Sequence, residues 1–389
     1  MTEAKNNEKN LEKKRERNYG IDLLRILSMF MVTLLHFSGH GGYKGNPDSG
    51  TVFYMISFFM VLCYGAVDIF ALISGYVMYG SKIKYSRIIS LWFQVACYSV
   101  ALSAVEKKIF HQSYLLLGSF FPVLNVRFWY FSAYFFMFFF IPFFNSIVEK
   151  LSCKKLFSFL ATGFIIFCVC SNVEKFFAHD MFGLIRGYSI MWLSFCYIFG
   201  AAIKKYQSFF YKFSNKVYIM LTIACWTLTY IGNVVLYDLK FPIKLRQPLR
   251  DFLLVYTSPT VFISSLCLLI LFSRIKISHG KPFIKILSAT SFSVYIIQTH
   301  TLIWDNFLCK YSTFFDASSA LAQTGLVLSG SIAFYLAATV VDYLRIQIFR
   351  LLHIDTLSKL ICKLLEKIIN VAKKPLKKFK IGRASCRER

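Results

Sequence analysis

Three ionisable residues lie inside one long apolar run near the start of the chain. The run reads YGIDLLRILSMFMVTLLHFSGH and holds Asp22, Arg25 and His36. Ionisable side chains within a membrane span are costly and usually functional, so these three are the first candidates for chemistry. In a helix, Asp22 and Arg25 are close enough to pair. Arg25 and His36 share one helix face, about 16 Å apart along the axis.

The runs that carry such residues predict a polytopic membrane protein. The chain is 57% hydrophobic and only 16% charged, against about 45–50% and 25% in ordinary soluble proteins. A helix needs about 20 apolar residues to cross the hydrocarbon core. We therefore predict an all-α fold with about ten transmembrane helices. The expected spans are 20–38, 52–79, 88–105, 128–147, 156–171, 188–203, 217–237, 252–272, 286–304 and 324–344.

The distribution of lysine and arginine predicts the orientation of these spans. The two termini and the loops predicted on the same side of the membrane hold 33 lysine and arginine residues, and the loops on the other side hold 11. Because cytoplasmic loops carry the excess of basic residues, both termini are expected in the cytoplasm. The net charge of +26 is then mainly a topology signal, and no nucleic-acid partner is expected.

The two ends of the chain differ from the span-rich region, residues 19–345. Residues 1–18 are polar and predict a disordered cytoplasmic tail. Residues 346–380 combine leucines at helical spacing with lysines, which indicates a basic amphipathic helix on membrane lipids or a solvated helical tail. Residues 381–389, IGRASCRER, match the in-frame translation of a common sequencing adaptor and are expected to be an artefact.

Several other kinds of site are not indicated. Most of the eleven cysteines lie in apolar runs, where a free cysteine behaves as a small hydrophobe. No CxxC pair with zinc spacing occurs, so neither a disulfide scaffold nor a metal site is predicted. P-loop, GxGxxG and HExxH patterns are also missing from the sequence.

The first apolar run and several later blocks together resemble the membrane-bound acyltransferase-3 family. The resemblance rests on Arg25-x10-His36 after Tyr19-Gly20-Ile21-Asp22, on Gly65–Phe70 with Ile73-Ser74-Gly75-Tyr76, on Lys84-Tyr85-Ser86-Arg87, and on Ser293–His300. Two positions depart from the family pattern. Lys84 replaces the first arginine of an RxxR-like element, and Gln298 stands where many members have histidine.

The resemblance implies an enzyme that acylates bacterial surface polysaccharides. An acyl group, expected to be acetyl, would pass from cytoplasmic acetyl-CoA or another acyl-CoA to a hydroxyl of an extracytoplasmic glycan or lipid-linked sugar. The protein would reside in the bacterial cytoplasmic (inner) membrane. Arg25, Lys84 and Arg87 are the expected ligands of the cofactor phosphates.

Histidine suits general base catalysis because its unperturbed pKa of about 6.5 lies near the operating pH. His36 is therefore the expected base, while a satisfied interhelical histidine is the plainer alternative. His300 lies at a similar predicted depth and could line the same cavity, either directly or through structural hydrogen bonds. Asp68 could orient a histidine or pair with Arg25. Direct transfer and a covalent acyl-histidine intermediate both remain open.

Two other function classes fit parts of the sequence. A secondary transporter or flippase for a sugar or lipid-linked substrate would also carry intramembrane Arg, His and Asp residues. Such transporters often contain inverted repeats, and the Arg-x10-His pattern has no counterpart in the second half of the chain. A scaffold or sensor without catalysis would need His36 only for stability.

Overall fold

The protein is all-α in the part of the chain that the structure describes, as predicted. The computed structural model describes residues 17–42, 50–110, 116–124, 126–177, 179–238, 242–315 and 317–378. Of the predicted N-terminal tail, only Arg17 and Asn18 fall within these ranges. Residues 381–389 also lie outside them.

Fourteen longer elements organise the described chain. They are α1 (Tyr19–His40), α2 (Thr51–Cys63), α3 (Ala66–Met78), α4 (Ser86–Phe110), α5 (Trp129–Lys150), α6 (Cys153–Phe164), α7 (Ile190–Lys205), α8 (Asn215–Asp238), α9 (Ile243–Leu253), α10 (Pro259–Ser273), α11 (Lys281–Thr299), α12 (Thr301–Asn306), α13 (Ala320–Leu351) and α14 (Ile354–Lys378).

Every predicted span coincides with helical structure, and the chain is a multi-pass membrane protein. Seven helical segments in the described ranges are long and apolar enough to cross a bilayer, with α2 and α3 counted together. The ninth predicted span is a bent pair, α11 and α12. The sixth and eighth correspond to the shorter helices α7 and α10. The count of ten and the cytoplasmic termini stay predictions.

Three predicted continuous spans are wrong in that the structure interrupts them. The span at 252–272 covers the end of α9 at Leu253 and becomes helical again only at Pro259, where α10 begins. The span at 52–79 divides at Tyr64 and Gly65, between α2 and α3. The span at 286–304 bends by 63° at His300, between α11 and α12. His300 has an extended backbone (φ −68°, ψ 143°) and its side chain accepts the amide hydrogen of Leu302, so it ends one helix and caps the next.

The C-terminal boundary also differs from the expected one. The last predicted span ends at residue 344, whereas α13 continues to Leu351 before the chain turns at His353 (φ 51°). Helix α14 then occupies most of the predicted basic tail and begins against α4, where Ser90 donates to Asp355. Its Leu360, Leu364 and Ile368 are exposed. Contact of this face with membrane lipids stays a prediction.

Helix α1 lies at the centre of the bundle. It packs against α2, α3, α10, α11 and α13, and Leu24 and Phe37 on it are fully buried. The most extensive packing of α1 is with α11. Consequently, the helix that carries Asp22, Arg25 and His36 is fixed by neighbours from both halves of the chain.

Helices α3 and α7 approach each other through two glycines. A Cβ atom on Gly75 would lie 1.9 Å from the carbonyl oxygen of Tyr197, and one on Gly200 would lie 2.0 Å from that of Leu72. Small residues allow this backbone approach between membrane helices. Ser74, next to Gly75, donates to the carbonyl of Phe70 within its own helix, in keeping with a packing role.

Gly200→Ala tests this close approach. The added methyl must displace α3, so we expect a loss of about 1–3 kcal/mol of stability, measured as a lower thermal unfolding midpoint in detergent. Gly325→Ala is the matched control, because nothing lies within 4 Å of its Cβ position. Equal midpoints for both variants would contradict the packing described here.

Candidate active site

A partly buried ion pair fixes the start of α1. Arg25 Nη1 donates to Asp22 Oδ1 and to Ser288 Oγ on α11, both at 3.0 Å, and Ser288 Oγ donates to the same carboxylate oxygen at 2.9 Å. The predicted pairing of Asp22 with Arg25 is therefore confirmed. Arg17 contacts the second oxygen of Asp22. We call the end of the bundle with this cluster the Arg25 side, and the opposite end the His36 side.

The other end of α1 carries a compact aromatic group. The His36 ring meets the Trp304 ring of α12 edge to face, with the ring centres 4.9 Å apart. The ring of His40, one turn further along α1, has its centre 4.6 Å from that of Trp304. The side chain of Gln298 in the last turn of α11 also neighbours His36. The bend after Thr299 thus brings two residues of one predicted span onto His36.

A cavity of about 720 Å³ lies between the ion pair and the His36 side. Met29, one turn beyond Arg25 on α1, lines its inner part, and His36 and His40 line its wall further along. An axial rise of 1.5 Å per residue places Arg25 about 6 Å below Met29. The other lining residues are largely aromatic and include Tyr64, Phe70, Trp129, Tyr130, Tyr188, Tyr256, Phe292, Tyr295 and Trp304.

Two arginines at the cavity wall are held by carboxylates. Arg127 forms a bidentate contact with Asp305 of α12: Nη2 donates to Oδ2 at 2.9 Å, and Nη1 donates to Oδ1 at 3.4 Å. Arg186 contacts Asp251 of α9 through Nη2 and keeps 54% of its side-chain surface exposed. Asp305 keeps 44% of its side-chain surface exposed while it pairs with Arg127.

The segment that presents Arg186 has an unusual backbone. Ile185 (φ 49°) and Arg186 (φ 58°) adopt left-handed conformations, and Gly187 (φ 101°) follows them. Asp180 stabilises this turn, since its carboxylate accepts the amide hydrogens of Leu184 and Ile185. Non-glycine residues rarely adopt such backbone angles, and they cluster at ligand sites when the surrounding structure holds them there.

His300 does not line the cavity, so the expectation that it shares the wall with His36 is wrong. Its side chain is buried beside α4, where Nε2 lies 3.1 Å from Ser103 Oγ. Nδ1 accepts the amide hydrogen of Leu302 at 3.1 Å, which leaves the ring proton on Nε2. The extended backbone of His300 turns its ring away from the wall formed by Thr299 and Trp304. Of the two roles left open, this geometry favours the structural one.

Asp68 does not pair with Arg25, contrary to one expectation. Its Oδ1 accepts a hydrogen bond from Trp192 Nε1 of α7 at 2.8 Å, and the residue is fully buried. In the described part of the chain, its Oδ2 has no hydrogen-bond partner. The carboxylate lies in the first turn of α3, a helix that packs more extensively on α7 than on α1.

The residues expected to hold the donor phosphates lie on the Arg25 side. Lys84 and Arg87 are exposed beside the start of α4. Tyr134 of α5 is close enough to interact electrostatically with both Arg25 and Arg87. Its ring stacks at 6.3 Å on that of Tyr130, which lines the cavity. The three groups therefore lead from the exposed edge of the bundle towards the cavity.

Lys204 and Lys205, in the last turn of α7, have local partners. Lys205 Nζ donates to the carbonyls of Val148, Glu149 and Leu151 and so caps the end of α5. The Lys204 ammonium lies 4.8 Å from the centre of the Tyr76 ring. Lys205 thus holds two helices together, a role that charge counting does not reveal.

Sequence reasoning missed three residues of the cavity wall. His40 could have been noticed from its i, i+4 spacing to His36, which places both rings on one helix face. Trp304 and Arg127 gave no comparable signal. They belong to separate elements and meet only in the folded chain.

Trp192→Phe tests how Asp68 is held. The change removes the hydrogen-bond donor of a buried carboxylate, so we expect a loss of about 1–3 kcal/mol of stability. Asp68→Asn in the Trp192→Phe background should recover part of this loss, because a neutral amide is less costly to bury. The unfolding midpoints of Trp192→Phe, Asp68→Asn and the double variant measure the energetic coupling between the two side chains. If the changes in midpoint simply add, a direct Asp68–Trp192 contact is contradicted.

Comparison with known proteins adds one finding to this geometry. The acyltransferase-3 family model, described as an acyltransferase domain, matches residues 18–341. The match begins just before α1 and ends inside α13, so it spans the ion pair, the cavity and its wall. No curated protein and no solved structure matches the chain.

Proposed function

The chain belongs to the acyltransferase-3 family and is a membrane acyltransferase, and from this premise we propose its substrates and direction of transfer. An acyl group, preferably acetyl, passes from acyl-CoA on the Arg25 side to a hydroxyl of a glycan or lipid-linked sugar on the His36 side. Because basic residues are concentrated on the Arg25 side, the donor approaches from the cytoplasm. The enzyme acts in a bacterial inner membrane.

The observation that carries this proposal is the position of His36 in the wall of a cavity that begins one turn above Arg25. The acyl thioester must reach along α1 by about 16 Å to bring its carbonyl from Arg25 to His36. Arg87 and Arg25 supply positive charge along that approach, which suits the phosphates of coenzyme A. Tyr134 and Tyr130 continue it into the cavity.

The His36 side of the cavity suits a sugar acceptor. Trp129, Tyr188 and Tyr256 form a continuous aromatic wall, with ring centres 4.5 Å apart for the first pair and 5.0 Å for the second. Arg127 and Arg186 add hydrogen-bond donors at its edge. Binding sites commonly combine an apolar wall with a few fixed polar groups, and such a site matches the ring faces and hydroxyls of a sugar.

In the proposed reaction, His36 takes the proton of the acceptor hydroxyl while its oxygen attacks the thioester carbonyl. The carbon–sulfur bond then breaks, the new ester forms, and the departing thiolate receives the proton from the His36 imidazolium. The products are an O-acyl sugar and free coenzyme A thiol. His36 ends the cycle neutral, as it began.

Ester-linked acetyl in the surface polysaccharide of the host tests the proposed function. A deletion strain should lose acetyl, the wild-type gene should restore it, and His36→Ala should reduce it roughly 100-fold or more at equal membrane abundance, as expected for loss of a general base. His279→Ala, an exposed histidine in the loop before α11, is the matched control. Acetyl content that the deletion leaves unchanged would refute this glycan as the acceptor. If His36→Ala restores the acetyl content, His36 is not the general base.

Arg87→Gln tests the donor side. Loss of one guanidinium that contacts a phosphate should raise the KM for acetyl-CoA roughly tenfold and leave kcat nearly unchanged. Initial rates of thiol release by purified enzyme give both constants. Lys82→Gln, in the exposed segment just before α4, should behave as wild type if the effect is specific. An equal rise in KM for both variants would show general charge attraction instead of a phosphate contact.

A further inference from the structure

Gln298 carries two buried polar atoms that the fold does not satisfy. It lies in the last turn of α11 and is fully buried, yet within the described residues neither Oε1 nor Nε2 has a hydrogen-bond partner. Native proteins contain few such groups, and each lowers stability. An amide retained at this position therefore needs a reason other than packing, because leucine or methionine would fill a similar volume.

The side chain of Gln298 neighbours His36, and the ring of His36 also carries a buried nitrogen without a hydrogen bond of standard geometry. This nitrogen is Nδ1, which makes no such bond in the part of the chain that the structure describes, although the Gln298 side chain is near enough to interact with the ring. Trp304 meets the same ring from α12, and the wall residues Tyr295 and Thr299 flank Gln298 on α11. His36 thus stands between the cavity and the amide of Gln298.

We propose that Gln298 is a positioning residue for His36. Its Oε1 accepts the Nδ1 proton of the ring and so fixes the tautomer in which Nε2 is free to take a proton from the acceptor hydroxyl. This geometry parallels catalytic histidines that a buried side chain orients through Nδ1. The bond closes when the substrates fill the cavity, since catalytic hydrogen bonds often tighten only in the substrate complex. The inference rests on the proposed function.

A neutral orienting group has a definite consequence for pH dependence. An amide fixes the ring without stabilising the imidazolium, whereas a carboxylate would do both. The charged and titratable groups around His36 are His40 on the same helix, Arg127 with Asp305, and Arg186 with Asp251. Both arginines are paired with carboxylates. A charge introduced at position 298 should therefore have the largest effect on the pH at which His36 becomes protonated.

Two substitutions at position 298 separate positioning from packing. With acetyl-CoA as the donor and host surface polysaccharide as the acceptor, Gln298→Leu should lower kcat roughly 10- to 100-fold, as loss of an orienting partner typically does, with an unchanged KM for acetyl-CoA. Its unfolding midpoint should equal or exceed that of wild type, because an unsatisfied amide is removed. Gln298→Glu should retain more activity and move the acidic limb of the pH–rate profile up by about one unit or more.

Gln94 provides the matched control for stability. Its Nε2 donates to Ser293 Oγ at 2.5 Å, so Gln94→Leu breaks an existing hydrogen bond and should lower the unfolding midpoint. Wild-type kcat in Gln298→Leu, or a fall in its midpoint as large as that of Gln94→Leu, would overturn the positioning role. An unshifted pH profile in Gln298→Glu would also overturn it.

Failure of this inference differs from failure of the proposed function. If the wild-type enzyme transfers acetyl and His36→Ala does not, while both position-298 variants behave as wild type, only the positioning role is refuted. If the wild-type enzyme releases no thiol and forms no ester, the proposed function itself is refuted, and the role of Gln298 falls with it.

Discussion

The packing of α1 against α11 is the constraint on which the proposed active site depends. At one end, Ser288 of α11 bonds to both members of the Asp22–Arg25 pair. At the other, Gln298 and the helix after the bend meet His36. An ion pair whose carboxylate is buried contributes only when its remaining hydrogen-bonding groups are satisfied, and Ser288 bonds to the buried carboxylate of Asp22. The contacts fix the spacing between Arg25 and His36, which sets the distance that the acyl group must cover.

Helix α11 is itself held by a second buried polar cluster. Asp342 of α13 receives a bidentate contact from Arg345 and hydrogen bonds from Tyr98 and Ser293. Three helices, α4, α11 and α13, therefore meet at one carboxylate. The capping contact of His300 with Leu302 then sets where α12 begins. Between Ser293 and His300, α11 has little freedom, which keeps Gln298 in place beside His36, and the cap places Trp304 of α12 against the same ring.

Hydropathy and spacing predicted the all-α fold, the helical segments and the Asp22–Arg25 pair, because these depend on local sequence and on the bilayer as a solvent. They did not predict the bend at His300, since the apolar run continues through it and its cap arises from a side chain. The partner of Asp68 was also missed. Trp192 lies 124 residues away, and nothing in either local sequence indicates that α3 and α7 are neighbours. The left-handed turn at Arg186 depends on Asp180 and on packing around Gly187, which no periodic pattern shows.

The central claim is that the acyl group crosses the membrane along α1 while coenzyme A stays on the Arg25 side. Sealed proteoliposomes test this claim most directly. They hold host surface polysaccharide inside, and acetyl-CoA labelled on the acetyl group is added outside. Protease cleavage of the C-terminal tail determines which way the protein is oriented. For protein with its Arg25 side outward, the account predicts labelled ester on the enclosed polysaccharide and free thiol only in the outer solution. Thiol released inside, or ester formed only when donor and acceptor share a compartment, would contradict it.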